Sequence, residues 1–155
     1  LVKNGKPKSF NNLNQVYLYK DTIEICKILK KKKYSLFLFT NQPDVTRNKN
    51  SKVNVDNINK FIKKKLSLDD ILISYSDDEK NFYRKPNPGM LLYAKNKFGI
   101  DLAKSYVIGD RWRDINAGIA AGCKTIFIDK SYPEKLKKKP KYVVKNFRHI
   151  IRYIK

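Results

Sequence analysis

Three short stretches gather residue types that handle phosphate. In Thr40-Asn41-Gln42 a hydroxyl precedes a turn, so the side chain and the turn's backbone N–H groups can both bond phosphate oxygens. The same residues also serve ordinary turns. In Gly109-Asp110-Arg111-Trp112-Arg113-Asp114 one carboxylate is followed by a second one helical turn later. That is the oxygen-rich pattern Mg2+ uses with waters and a substrate phosphate, although either aspartate could instead cap the helix that follows. Between them lies Arg84-Lys85-Pro86-Asn87-Pro88-Gly89-Met90. Pro86 keeps Lys85 out of helical geometry and Pro88 favours a helix start. An ammonium held ahead of a helix's positive end can neutralise a phosphoryl group and the charge of an attacking carboxylate. The alternative is a plain basic loop in a lysine-rich protein.

The elements that must position these residues alternate between helix and strand, the pattern of an α/β protein with a largely parallel sheet. Residues 1–20 read as irregular, with Gly5 and Pro7 as breakers. Asp21 is a candidate N-cap for a helix whose apolar face is mostly Ile23, Ile25, Cys26, Ile28 and Leu29 and which ends near Tyr34. Residues 35–40 form an apolar run that predicts a buried strand, and Val53 to Leu66 predicts a second helix. A strand follows over 70–75, then a polar loop. A third helix opens with Asn87 as N-cap and Pro88 at its first position and stops at Gly99. Residues 105–109 and 124–129 read as strands flanking a helix over 115–121, residues 142–144 as a short edge strand, and 147–154 as a closing helix. In open α/β sheets ligands sit beyond the carboxyl ends of the strands, where Thr40 and Asp110 fall.

Composition narrows the function classes. The 155 residues include 41% apolar and 12% aromatic side chains, enough for a core. No apolar run approaches the roughly 18 residues that span a bilayer, so no membrane partner and a cytoplasmic location are expected. Cys26 and Cys123 are far apart with no Cys/His cluster, which argues against a disulfide framework or a thiolate zinc site. The net charge of +21 invites a nucleic-acid reading. Against it, 29 of the 35 basic residues are Lys and six are Arg, whereas phosphate and groove readers favour Arg's planar fork.

Taken together, the stretches resemble the motifs of the haloacid dehalogenase superfamily of phosphatases, in the subclass that includes the heptose bisphosphate and histidinol-phosphate phosphatases. Residues 38–43 match the second family motif, 84–90 the third, and 107–115 with 117–122 the fourth; the resemblance spans about 16–130. It implies a Rossmann-like three-layer fold with a mostly parallel sheet, a single domain over 1–155 without a cap, and a monomer. It also implies a Mg2+-dependent phosphomonoesterase acting on a small phosphorylated substrate such as a sugar phosphate. Thr40 and Asn41 would bind the phosphoryl group, Lys85 would neutralise it and the nucleophile, and Arg84 would contact the rest of the substrate. Asp110 would ligate Mg2+, and Asp114 would support that site directly or through water.

Two departures accompany the resemblance. The family's opening motif, DxDGT or DxDGV, supplies the nucleophilic and the acid/base aspartates and is absent; a stretch similar to Lys3-Asn4-Gly5-Lys6-Pro7 follows that motif in relatives. The chain is therefore expected to be a fragment, inactive as it stands and lacking the first, central strand. Many heptose bisphosphate relatives also hold a structural zinc with Cys and His in the loop before the third motif. Here the apparent equivalents are Ser74, Ser76, Asn81 and Tyr83, so no Zn2+ is expected, and Asp77, Asp78 and Glu79 would hold the loop by pairing with Lys or Arg. Two alternatives stand beside the metabolite phosphatase: a nucleic-acid 3′-end phosphatase and a non-catalytic phosphate-binding relative.

Overall fold

The computed structural model describes residues 2, 3, 6, 7, 10 and 12–155, so the stretch matched above between Lys3 and Pro7 lies partly outside the described residues. Contacts within the chain gather into two compact units, Leu1–Asp77 and Asp78–Lys155.

In the first unit β1 (Val2–Lys3) pairs antiparallel with β2 (Lys6–Pro7), and a 3-10 turn covers Leu13–Gln15. The amino-terminal 20 residues are thus less irregular than their polarity predicts. Then come α1 (Lys20–Lys31), β3 (Phe37–Asn41), α2 (Lys52–Leu66) and β4 (Asp70–Ser74). Strands β3 and β4 run parallel, Phe37 opposite Asp70 and Asn41 opposite Ser74. The core is built by Ile25, Cys26 and Leu29 of α1, Val55 and Ile58 of α2, and Leu72 of β4. Asp69 joins the two strand entrances: it accepts hydrogen bonds from Leu36 N at 2.6 Å and Lys30 Nζ at 2.8 Å. Burial would raise its pKa, but these two donors outweigh burial and hold the carboxyl below its usual value.

Two expectations are corrected here. Asp21 is not the N-cap of α1; Tyr19 occupies that position without a side-chain bond, and Asp21 sits in the first turn, where its charge suits the helix dipole. Strand β3 starts two residues later than predicted and is half-buried along its whole length, because within its sheet it has one neighbour, β4.

The second unit contains α3 (Gly89–Phe98), a 3-10 turn over Leu102–Lys104, β5 (Tyr106–Gly109), α4 (Trp112–Ala120), β6 (Lys124–Ile128), β7 (Tyr142–Val144) and a 3-10 segment over Phe147–Arg152. Its sheet is parallel, in the order β5-β6-β7. Ile115, Ala117, Ile126 and Ile150 are fully enclosed. Helix α4 lies close on β5 and β6 at Gly118, where an added Cβ would meet Thr125 Cγ2 and Val107 Cβ at 2.8 Å. Gly99 ends α3 with φ +65°.

Three boundaries differ from prediction. Helix α3 begins at Gly89 with Pro88 in the N-cap position, because the Asn87 side chain is committed elsewhere, donating to the carbonyls of Glu79 and Asn81. Helix α4 begins three residues early, at Trp112, closed by Asp114. The carboxyl-terminal segment is 3-10 rather than α, in keeping with its shortness and its β-branched Ile150-Ile151 pair. Among the described residues no helix is long and apolar enough to cross a membrane.

Candidate active site

The second unit assembles a charged centre at the end of β5. Asp114 lies in the first turn of α4, where its Oδ2 accepts the backbone N–H of Arg111 at 3.2 Å and so closes that turn. Its Oδ1 accepts a hydrogen bond from Lys85 Nζ at 2.7 Å. Asp114 therefore does both jobs the sequence left open, capping a helix and serving the charged centre. Gly109 makes room for it: a Cβ at that position would stand 2.5 Å from Asp114 Oδ2 and 2.6 Å from its Cγ.

Lys85 is delivered by a tight turn ahead of α3. Arg84 N donates to Asn81 O at 3.0 Å, Asn87 N to Arg84 O at 2.9 Å, and Gly89 N to Phe82 O at 3.1 Å. The Lys85–Pro86 peptide is cis. Arg84 is buried in this turn, 7% exposed. Upstream, Glu79 pairs with Arg113, and that hydrogen bond and charge hold the Glu79 carboxyl below its usual pKa. Asp78 accepts Lys80 N at 2.9 Å. In the first unit Asp77 pairs with Arg47 at 3.4 Å.

Asp110, one residue past β5, is half-buried and accepts the Tyr132 hydroxyl at 3.2 Å through Oδ2. It opens on a cavity of about 340 Å3 whose lining includes Trp112, Phe127, Asp129, Tyr132 and Glu134. The Asp110 Oδ1 atom has no hydrogen-bond partner among the described residues. Mg2+ needs only one or two carboxylates, completed by waters and substrate phosphate, and Asp110 fits as such a ligand. Both Asp114 oxygens are engaged by Lys85 and Arg111, so Asp114 fits the supporting role through water rather than direct ligation. Among the described residues no three His, Cys, Asp or Glu side chains form a metal-binding group.

In the first unit, Thr40 and Asn41 end β3. Thr40 Oγ1 accepts a hydrogen bond from Gln42 Nε2 at 3.2 Å, and Gln42 N donates to Ser74 O at 2.7 Å. The loop that follows is tied to the end of β4, with Thr46 Oγ1 donating to Tyr75 O at 2.7 Å. Tyr75 in turn donates its hydroxyl to Asp56 at 2.9 Å. Burial, with the Asp56 carboxylate, pushes the Tyr75 phenol up to about 12. Burial also pushes the Cys123 thiol up to about 11 and raises Cys26, so neither thiol is an activated nucleophile.

The structure thus brings Lys85 and Asp114 into contact, with Asp110 at the neighbouring strand end, and presents Thr40 and Asn41 at the end of β3. Sequence reasoning did not find Tyr132, Glu134 or a side-chain role for Arg111. The available signal was position: residues 129–136 follow the carboxyl end of β6, where sites in α/β sheets gather.

A family model described as HAD-hydrolase-like matches residues 82–150. The D-glycero-alpha-D-manno-heptose-1,7-bisphosphate 7-phosphatase of Campylobacter jejuni is 28% identical over 134 residues, which is 76% of this chain and 75% of that protein. The D-glycero-beta-D-manno-heptose-1,7-bisphosphate 7-phosphatase of Yersinia pestis is 31% identical over 116 residues, 66% of this chain and 62% of that protein. The chain therefore spans less than two thirds of the Yersinia relative. Among solved structures, the D,D-heptose 1,7-bisphosphate phosphatase of B. bronchiseptica, complexed with magnesium and phosphate, superposes with a TM-score of 0.82 over 93% of this chain and 87% of that one at 19% identity. The chain shares the fold of that solved phosphatase, and in sequence it resembles the heptose bisphosphate phosphatases.

Proposed function

We propose that this protein is a Mg2+-dependent phosphomonoester hydrolase acting on a small phosphorylated metabolite, a sugar phosphate of the heptose bisphosphate kind. The observation that carries the reading is the Lys85–Asp114 ion pair at 2.7 Å, with Asp110 at the end of β5 in the same unit. The substrate class comes from the relatives' names. With the reading go a single catalytic domain without a cap, a monomeric state and a cytoplasmic setting.

In this chemistry an aspartate carboxylate attacks phosphorus, the phosphorus–oxygen bond to the alcohol breaks, and water then cleaves the resulting aspartyl-phosphate. Bound Mg2+ supplies positive charge to the phosphoryl oxygens. Lys85 supplies a second, fixed positive charge, aimed by Asp114 and the cap turn of α4. Thr40 and Asn41 are assigned to the phosphoryl oxygens by motif order, and Arg84 to the remainder of the substrate. No residue of the chain stands in the motif that provides the nucleophile and the acid/base, so neither role is assigned within residues 1–155. The test is turnover of para-nitrophenyl phosphate with Mg2+ by the full-length protein. Lys85→Ala and Asp110→Asn should each lose about 100-fold or more; wild-type turnover by either variant overturns the assignment.

A further inference from the structure

The connection between β6 and β7 reaches back onto two successive residues past β5, Asp110 and Arg111. Tyr132 donates its hydroxyl to Asp110 Oδ2 at 3.2 Å. Two residues on, Glu134 receives a fork from Arg111: Nε to Oε2 at 2.8 Å and Nη2 to Oε1 at 2.5 Å. The Arg111 guanidinium also lies over the Tyr132 ring, 4.9 Å from its centroid. At its start the connection is anchored by Asp129, which accepts Ser131 N at 2.9 Å and Lys145 Nζ at 2.8 Å. Ser131 is in the left-handed region, φ 55°, so the chain leaves β6 in a defined direction.

We propose that Tyr132 is a positioning residue for the Asp110 carboxylate, held in place by the Arg111–Glu134 fork, and that it sets the affinity of Asp110 for a divalent cation. This inference rests on the reading of Asp110 as a Mg2+ ligand given above. The physical basis is direct. A carboxylate with one oxygen bonded to a fixed phenol presents its other oxygen in one orientation and loses less rotamer freedom on ligation. Arg111 stacks on the ring that carries that phenol and is locked at both guanidinium edges used by Glu134. Its own backbone N–H meanwhile bonds Asp114. One residue thereby ties the cation ligand, the lysine-bearing aspartate and the β6–β7 connection together. Outer partners of metal ligands commonly govern affinity by 10- to 100-fold.

The experiment is isothermal titration of Mg2+, and of Mn2+ as a tighter probe, into full-length wild-type protein and the Tyr132→Phe, Glu134→Gln and Asp110→Asn variants, with thermal melts alongside. Tyr132→Phe keeps the ring under Arg111 and removes only the hydroxyl. It should weaken Mg2+ binding about tenfold with little change in melting temperature, and Glu134→Gln should weaken it in the same direction by less. In turnover assays the loss should appear in the Mg2+ requirement and recover at saturating Mg2+. If Tyr132→Phe binds Mg2+ within twofold of wild type while Asp110→Asn does not bind, the positioning role is refuted and the ligand assignment stands. If Asp110→Asn binds as wild type does, the ligand assignment itself fails. If Tyr132→Phe does not fold, Glu134→Gln decides: unchanged Mg2+ affinity in that variant refutes the proposal.

Discussion

Lys85 and Asp114 form an ion pair of 2.7 Å whose side chains are only 12% and 11% exposed. The pair joins a turn ahead of one helix to the first turn of another, and each partner is costly to leave alone. Breaking a buried pair by removing one member typically costs about 3–5 kcal/mol, because the remaining charge is uncompensated. Lys85→Met should therefore lower the unfolding free energy by about 3 kcal/mol, measured by urea titration. The double variant Lys85→Met/Asp114→Leu should recover a substantial part of that loss. A double variant no more stable than the single one would show that Asp114 matters to the fold chiefly through its cap bond to Arg111.

Gly109 sits where any side chain would overlap Asp114. Gly109→Ala should displace that carboxylate and cost about 1–3 kcal/mol, the usual range for an added methyl group in a filled space. Because the displaced group aims Lys85, phosphatase activity should fall by more than the stability loss alone accounts for. Comparing kcat well below the melting temperature with the urea midpoint separates the two effects, and wild-type kcat would refute the coupling.

Tyr75 gives the first unit a pH signature of its own. Its phenol is raised from 10 to about 12 by burial and by its bond to Asp56. A folded-state pKa above the unfolded one means that the stabilisation is complete below pH 10 and is lost as pH rises through about 12. Ultraviolet difference titration should show one tyrosine ionising late, and Asp56→Asn should move that step towards lower pH. An unchanged step in Asp56→Asn would leave burial as its only cause.

The segment Lys135 to Lys141 exposes five lysines, at 135, 137, 138, 139 and 141, the observation that favours the nucleic-acid-end reading. If all five met phosphates, the logarithm of duplex affinity would fall against log salt with a slope of about −4.5. The metabolite phosphatase reading expects no duplex binding that survives physiological salt. Tight binding at 150 mM salt with a steep slope would reverse that preference.

Much of this fold was legible because its signals are local. Strand β6 has turn residues beside it, α3 has Gly99 behind it, and Pro86 and Pro88 mark the turn that carries Lys85. The candidate site was legible as far as motifs run: Lys85, Asp110 and Asp114 have the residue types and order that phosphate chemistry needs. Periodicity is blind to contacts between distant loops. Nothing in Tyr132-Pro133-Glu134 announces a bond to Asp110 or a fork with Arg111, since each requires the β6–β7 connection to fold back over β5's end. Helix caps failed for a similar reason. Asn87 has the right side chain for an N-cap, but two carbonyls from its own turn claim it first.

Strand β7 has a consequence for how the protein behaves in a crowded solution. It is three residues long, lies at the margin of its sheet, and leaves Val143 53% exposed. A bare margin of this kind can template pairing with another chain, and short length with flanking lysines discourages it. Lys139, Lys141 and Lys145 bracket β7 and are all exposed. Part of the chain's large positive charge thereby acts as a guard against self-association, independent of any phosphate it meets.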